Sequence, residues 1–139
     1  MPQPLTINHQ PMTFSKPTDA ELEILHLLWE LGPSTVRTVN DRLNQRREVG
    51  YTTTLKMMQI MFEKGLATRM EDGRTHLYTA AVAESDTQSR LLQQFVDNAF
   101  RGSASKMVLQ ALGNHDATAA ELDEIKALIA QLEQNQSKP

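Results

Sequence analysis

Residues 51–78 read YTTTLKMMQIMFEKGLATRMEDGRTHLY, from Tyr51 to Tyr78. Leu55, Met58 and Phe62 recur at spacings of three and four, which predicts a helix from near Thr52 with those side chains toward a core. Gly65 suits the left-handed residue that follows a helix. Leu66–Glu71 and Thr75–Ala80 are strand candidates, and Asp72-Gly73 between them is a hairpin signal. Threonines at the entrance of a helix, a glycine at its exit and a hairpin with a basic tip make the layout of a winged helix-turn-helix. In that layout one helix enters the DNA major groove and the hairpin lies beside it.

Upstream, Thr18-Asp19-Ala20-Glu21 fits a capping box, with Pro17 just before it. Leu22, Leu25, Leu28 and Trp29 then form one apolar stripe, and Gly32-Pro33 stops this first helix. Ser34 or Thr35 can cap a second helix. Its buried face is Val36, Val39 and Leu43, and Arg37, Arg42, Arg46 and Arg47 surround the rest. Glu48-Val49-Gly50 makes the turn into the third helix. Residues 1–16 hold Pro2, Pro4 and Pro11, show no apolar periodicity and read as a mobile arm. Residues 17–82 are therefore expected to form a helix-helix-helix-strand-strand domain.

Downstream the pattern is helical. Leu91, Leu92, Phe95, Val96 and Phe100 stripe a fourth helix, which Gly102 interrupts. Met107, Val108, Ala111 and Leu112 stripe a fifth. Thr118-Ala119-Ala120-Glu121 is a second capping box. It opens a last helix with Leu122, Ile125, Ile129 and Leu132 as a coiled-coil-like seam. The tail from Gln134 is polar and expected to fray. Three short amphipathic helices over residues 83–136 bury too little surface to be comfortably stable alone, so they are expected to pair with a second copy. The fold class is thus mainly α (α+β): an N-terminal winged helix-turn-helix with a small wing and a C-terminal helical dimerisation domain.

The 139-residue chain has 17 acidic and 14 basic residues, a net charge of −3 that looks wrong for a nucleic-acid binder. The distribution is more favourable. Residues 34–76 carry eight basic and five acidic side chains, while residues 83–139 carry five basic and eight acidic. Cysteine is absent, which excludes disulfides and thiolate-ligated metal and fits a reducing cytoplasm. The start of the chain, MPQPLTINHQPMTF, lacks a basic n-region and an apolar h-region, so no signal peptide is expected. No apolar run approaches the roughly 20 residues that span a bilayer, so no membrane insertion is expected.

Candidate DNA contacts follow from position and chemistry. Thr52 and Thr53 can donate to phosphates beside the amides of the helix N-terminus. Lys56 suits a guanine edge and Gln59 an adenine edge, while Met57 and Ile60 can touch a thymine methyl or join the core. Arg74 at the hairpin tip can meet a phosphate or enter the minor groove, with His76 nearby. Arg46 and Arg47 close the second helix and can meet phosphates across the groove; Thr35 and Tyr51 complete the set. No catalytic constellation appears. His9, His26, His76 and His115 lack metal-ligand spacing, and neither a phosphate loop nor a nucleophile motif is present, so neither metal nor cofactor is expected. A winged helix can also serve as a protein-interaction module or as a ligand-responsive regulator, and these alternatives stay open.

The chain resembles the penicillinase-repressor (BlaI/MecI/CopY) family of bacterial regulators over about residues 17–133. The resemblance rests on Thr18, Glu21, Leu28-Trp29, Thr35-Val36, Val39, Leu43, Tyr51-Thr52-Thr53, Lys64-Gly65, Gly73-Arg74 and Tyr78. It implies a cytoplasmic homodimeric repressor on a palindromic operator. In members tied to β-lactam resistance, it also implies release when a membrane-bound sensor protease triggers cleavage in the dimerisation domain. The chain departs from the family at Lys56 and Ile60, where Thr and Arg are common, so the operator sequence does not carry over. Ser103-Ala104 stand where the family has its Asn-Phe cleavage bond, with Asn98-Ala99-Phe100 close by. The cysteine cluster of the copper-responsive branch is missing.

Overall fold

The structure is a computed structural model that describes residues 14–137; most of the expected arm, residues 1–13, lies outside them. Its elements are α1 (Asp19–Leu31), α2 (Val36–Leu43), α3 (Tyr51–Glu63), β1 (Ala67–Asp72), β2 (Thr75–Ala80), α4 (Glu84–Ala99), α5 (Ala104–Asn114) and α6 (Ala119–Gln136). Among the described residues, those up to Gln93 form one compact unit and those from Gln94 a second, the division falling inside α4.

In the first unit, the capping box forms as its sequence predicts. Thr18 Oγ1 accepts from the Glu21 amide at 3.1 Å, and Glu21 Oε1 accepts from the Thr18 amide at 2.9 Å. Leu25 and Leu28 enter the core together with Ile24, which the sequence stripe omits; Leu22 and Trp29 pack half-buried at its margin. Trp29 Nε1 donates to Val82 O at 2.8 Å, tying α1 to the segment after the hairpin. Val36, Val39 and Leu43 bury as expected, beside Met58, Met61, Leu66 and Tyr78. Burial of each such large side chain stabilises by about 1.5–3 kcal/mol.

The third helix departs from expectation. It begins at Tyr51 with Gly50 as its N-cap, so Thr52 lies inside the first turn. Its buried residues are Thr54, Met58 and Met61; Leu55 is half-buried and Phe62 is exposed. The core face is rotated because Thr54, though polar, has a buried partner on α2. Phe62 remains outside, covered by the Arg69 guanidinium 4.1 Å from its ring centroid.

The hairpin is antiparallel and pairs Ala67 with Ala80 through to Asp72 with Thr75. Asp72 therefore belongs to the ladder, and the two-residue loop is Gly73-Arg74 instead of Asp72-Gly73. Gly73 has φ 65 and Arg74 keeps an ordinary negative φ, the pattern of a type II′ turn with glycine at its first central position. A further pairing joins Ser34 to Tyr78: each amide donates to the other's carbonyl, at 2.9 and 2.8 Å. It stitches the α1–α2 loop to the hairpin.

In the second unit, Ser103 Oγ caps α5, and Thr118 caps α6 with a complete capping box. Neither α5 nor α6 buries any residue. α6 runs through Gln136, and Ser137 bonds back to Glu133 O at 3.2 Å; the last two residues of the tail expected to fray, 138 and 139, lie outside the described residues.

Candidate nucleic-acid interface

A polar network sets the relation of α3 to α2. Asn40 is buried, and its Nδ2 donates to Val49 O at 3.0 Å and to Thr54 Oγ1 at 2.8 Å. Asn44 Nδ2 donates to the same Val49 carbonyl at 2.8 Å, and Asn44 Oδ1 accepts from the Val49 amide. These bonds span the turn from both ends, so α3 leaves it in one direction. A buried amide whose two N–H groups are both bonded specifies geometry as well as stability.

The outward face of α3 then follows from helical periodicity. With Thr54, Met58 and Met61 inward, Thr52, Lys56 and Gln59 point away from the core, flanked by Thr53 and Ile60. All five are exposed, while Met57 packs half-buried against the core. Gly50 supplies no side-chain cap, so the first amides of α3 stay open to an outside acceptor.

Beside that first turn lies a cleft of about 220 Å³ lined by Thr35, Val36, Arg37, Tyr51, Leu55, Arg74, Thr75, His76 and Tyr78. It gathers Thr35, Tyr51, Arg74 and His76 from the sequence-derived set. Thr35 also caps α2 by accepting from the Thr38 amide at 3.1 Å. His76 meets Tyr78 edge-on, with ring centroids 6.4 Å apart. Arg37, whose side chain sequence reasoning left on the general surface of α2, stands over the Tyr51 ring at 4.9 Å.

Arg46 and Arg47 lie elsewhere, in hollows shared with Asp19, Glu23 and His26 along α1. Arg47 is ion-paired with Glu23, and Arg42 with Glu30 at 2.9 Å. No sequence signal short of the tertiary fold links residues 23 and 47. At the far end of α3, Lys64 Nζ reaches Glu21 Oε1 at 2.6 Å. Burial alone would raise the Glu21 pKa; the Lys64 ammonium and the Thr18 amide outweigh it and hold the carboxyl below its ordinary value.

Among the twelve residues expected to pair copies, Val96 is buried. Leu91, Phe100, Met107 and Ile125 are half-buried. Leu92, Phe95, Val108, Leu112, Leu122, Ile129 and Leu132 are exposed, Phe95 by 54% and Leu132 by 52%.

Two helices joined by a fixed turn, with a hairpin wing beside the second, define a winged helix-turn-helix of the kind that binds DNA to regulate transcription. The match with known proteins narrows the class: the chain belongs to the penicillinase repressor family, whose model covers residues 17–131, and is a DNA-binding transcriptional repressor. It is similar to the transcriptional regulator BlaI of Mycobacterium tuberculosis, 29% identical over 120 residues and 83% of each chain. It is also similar to the penicillinase repressor of Bacillus licheniformis, 25% identical over 112 residues, 81% of this chain and 88% of that one. Among solved structures, the monomeric Bacillus licheniformis BlaI in complex with the blaP half-operator is 26% identical, covers 53% of this chain and 90% of its own, and has a TM-score of 0.47. No helix among the described residues is long and apolar enough to cross a membrane.

Proposed function

We propose that this repressor binds a palindromic operator as a homodimer, placing α3 in the major groove and the Gly73-Arg74 turn beside it. The outward face of α3 carries the proposal: Lys56 and Gln59 sit centrally, with hydrogen-bonding groups suited to base edges. Thr52, Thr53 and Ile60 flank them, and the cleft that holds Thr35, Tyr51, Arg74 and His76 opens beside the same first turn. Met57 supports this face from beneath. Arg46 and Arg47 are assigned to backbone contacts at the margin, Arg47 only after leaving Glu23.

Pairing through α4, α5 and α6 is supported by their unburied apolar stripes, which a second copy would cover. A dimer presents two α3 helices to two half-sites, so weak single contacts combine. The protein acts where the chromosome is, in the cytoplasm, and binds DNA without catalysing a reaction. The name of the Bacillus licheniformis relative motivates penicillinase expression as the process controlled. We assign the upstream signal to a membrane-bound sensor protease, as the family resemblance implies.

Fluorescence anisotropy against the chain's own upstream DNA and against a random duplex, at two salt concentrations, tests the reading. Salt-sensitive binding with preference for the upstream DNA is expected. Equal, weak binding to both duplexes would defeat it.

A further inference from the structure

We propose that the cleft between α2, α3 and the hairpin is a seat for a single phosphate of the duplex backbone, with Arg37 as its second cationic wall. The proposal rests on the operator-binding reading above and adds a site and a residue to it.

Charge is sorted unevenly over this unit. Arg42, Arg47 and Lys64 are neutralised by Glu30, Glu23 and Glu21. Arg37 and Arg74 form no ion pair among the described residues. The hollows along α1 contain Asp19, Glu23 or Glu30, whereas the cleft contains no carboxylate. Its polar lining is two guanidiniums, an imidazole, two phenols and two threonine hydroxyls, the hydroxyls already donating to Thr38 Oγ1 and Asp72 O. A concave surface that offers donors and positive charge without an anion of its own is matched by phosphate oxygens.

The Arg37 guanidinium rests over the Tyr51 ring at 4.9 Å, so its planar fork is held before any ligand arrives. Tyr51 is the first residue of α3, where Gly50 leaves the leading amides uncapped. Arg74 comes to the same space from the other side, placed by the type II′ turn. Donors from α2, α3 and the hairpin thus line one cleft. A phosphate there would fix the height of α3 in the groove without reading sequence.

Single and double variants test this on the full-length protein. Arg37→Ala is expected to weaken binding to operator and random duplex alike, roughly ten-fold. It should lower the slope of log affinity against log salt by about 0.9. Because Arg37 and Arg74 serve one phosphate, Arg37→Ala/Arg74→Ala should cost less than the product of the single effects. Arg37→Lys, which keeps the charge and loses the stack, should fall between. A methylphosphonate scan of the half-site should find one position that weakens the wild-type protein most, weakens Arg37→Ala and Arg74→Ala less, and leaves Arg37→Ala/Arg74→Ala unaffected.

An unchanged salt slope in Arg37→Ala would overturn the proposal, as would methylphosphonate responses of Arg37→Ala and Arg74→Ala at different positions. A third overturning result has two parts: inorganic phosphate raises the wild-type melting temperature, but Arg37→Ala leaves duplex binding intact. The cleft would then serve a free anion. Failure of the wild-type protein to bind any duplex at low salt is a different result and defeats the operator reading itself.

Discussion

Lys64 Nζ stands 2.6 Å from Glu21 Oε1, so the carboxylate that caps the start of α1 also anchors the residue that ends α3. The pair lies at the opposite end of α3 from the cleft. It holds that end while the Asn40 network holds the beginning.

Acid should loosen this anchor. Burial works to raise the Glu21 pKa, but Lys64 and Thr18 prevail and keep it below the ordinary 4.5. The unfolded chain therefore takes up the proton first as pH falls. The stability from this group is present above the unfolded pKa and is lost as pH drops through the lower folded one. Glu21→Gln should lose about 1–3 kcal/mol near neutral pH, because the ion pair with Lys64 is lost and the Thr18 amide then donates to a neutral oxygen. The gap from wild type should close in acid. Urea unfolding across that range checks it, and a gap independent of pH would refute the assignment.

Asn40→Ala should cost about 1–3 kcal/mol, because Val49 O and Thr54 Oγ1 would lose a buried donor. Its effect on DNA affinity should exceed its effect on melting temperature, since the turn it releases sets the direction of α3. Asn44 keeps its own bond to Val49 O, which limits the loss and keeps the variant folded. Wild-type operator affinity in a folded Asn40→Ala protein would contradict this role.

Lys56→Ala and Gln59→Ala should separate recognition from stability. Both side chains are exposed, so folding stability should change by no more than about 0.5 kcal/mol. Preference for operator over random duplex should fall by about 1–3 kcal/mol for a side chain that reads a base. Arg74→Ala should instead weaken both duplexes and flatten the salt dependence by about one unit. Competition binding with labelled operator distinguishes the two patterns, and the reverse assignment would exchange the roles of helix and hairpin.

The local devices were legible in the sequence. Both capping boxes, the Gly65 exit and the apolar faces of α1 and α2 depend on neighbours within a few residues, and they form where those neighbours predict. What was illegible depends on distant partners. The phase of α3 shifted because Thr54 has Asn40 to bond, which no periodicity of apolar residues reveals. The Ser34–Tyr78 pairing joins a loop to a strand 44 positions away, with no alternating pattern at Ser34 to announce it. In the candidate site, position along α3 was enough to find the exposed face. Sorting the arginines was not possible from spacing: Arg37 and Arg47 look alike until the fold sets one over Tyr51 and the other against Glu23.

Assembly offers the last prediction. α6 presents Leu122, Ile125, Ile129 and Leu132 along one seam, yet buries none of its residues in a single chain. If a second copy covers this seam, Ile129→Glu places a charge in an apolar interface. It leaves the helix itself intact, because glutamate is a good helix former. The variant should sediment as a monomer at concentrations where the wild-type protein is a dimer. Its affinity for a full palindrome should fall by about 10²–10⁴-fold toward that for a half-site, because the two contacts are no longer linked. Half-site affinity should be unchanged, since the first unit is untouched. A variant that stays dimeric by sedimentation would move the interface to the exposed side chains of α4 and α5, Phe95 and Val108 first among them.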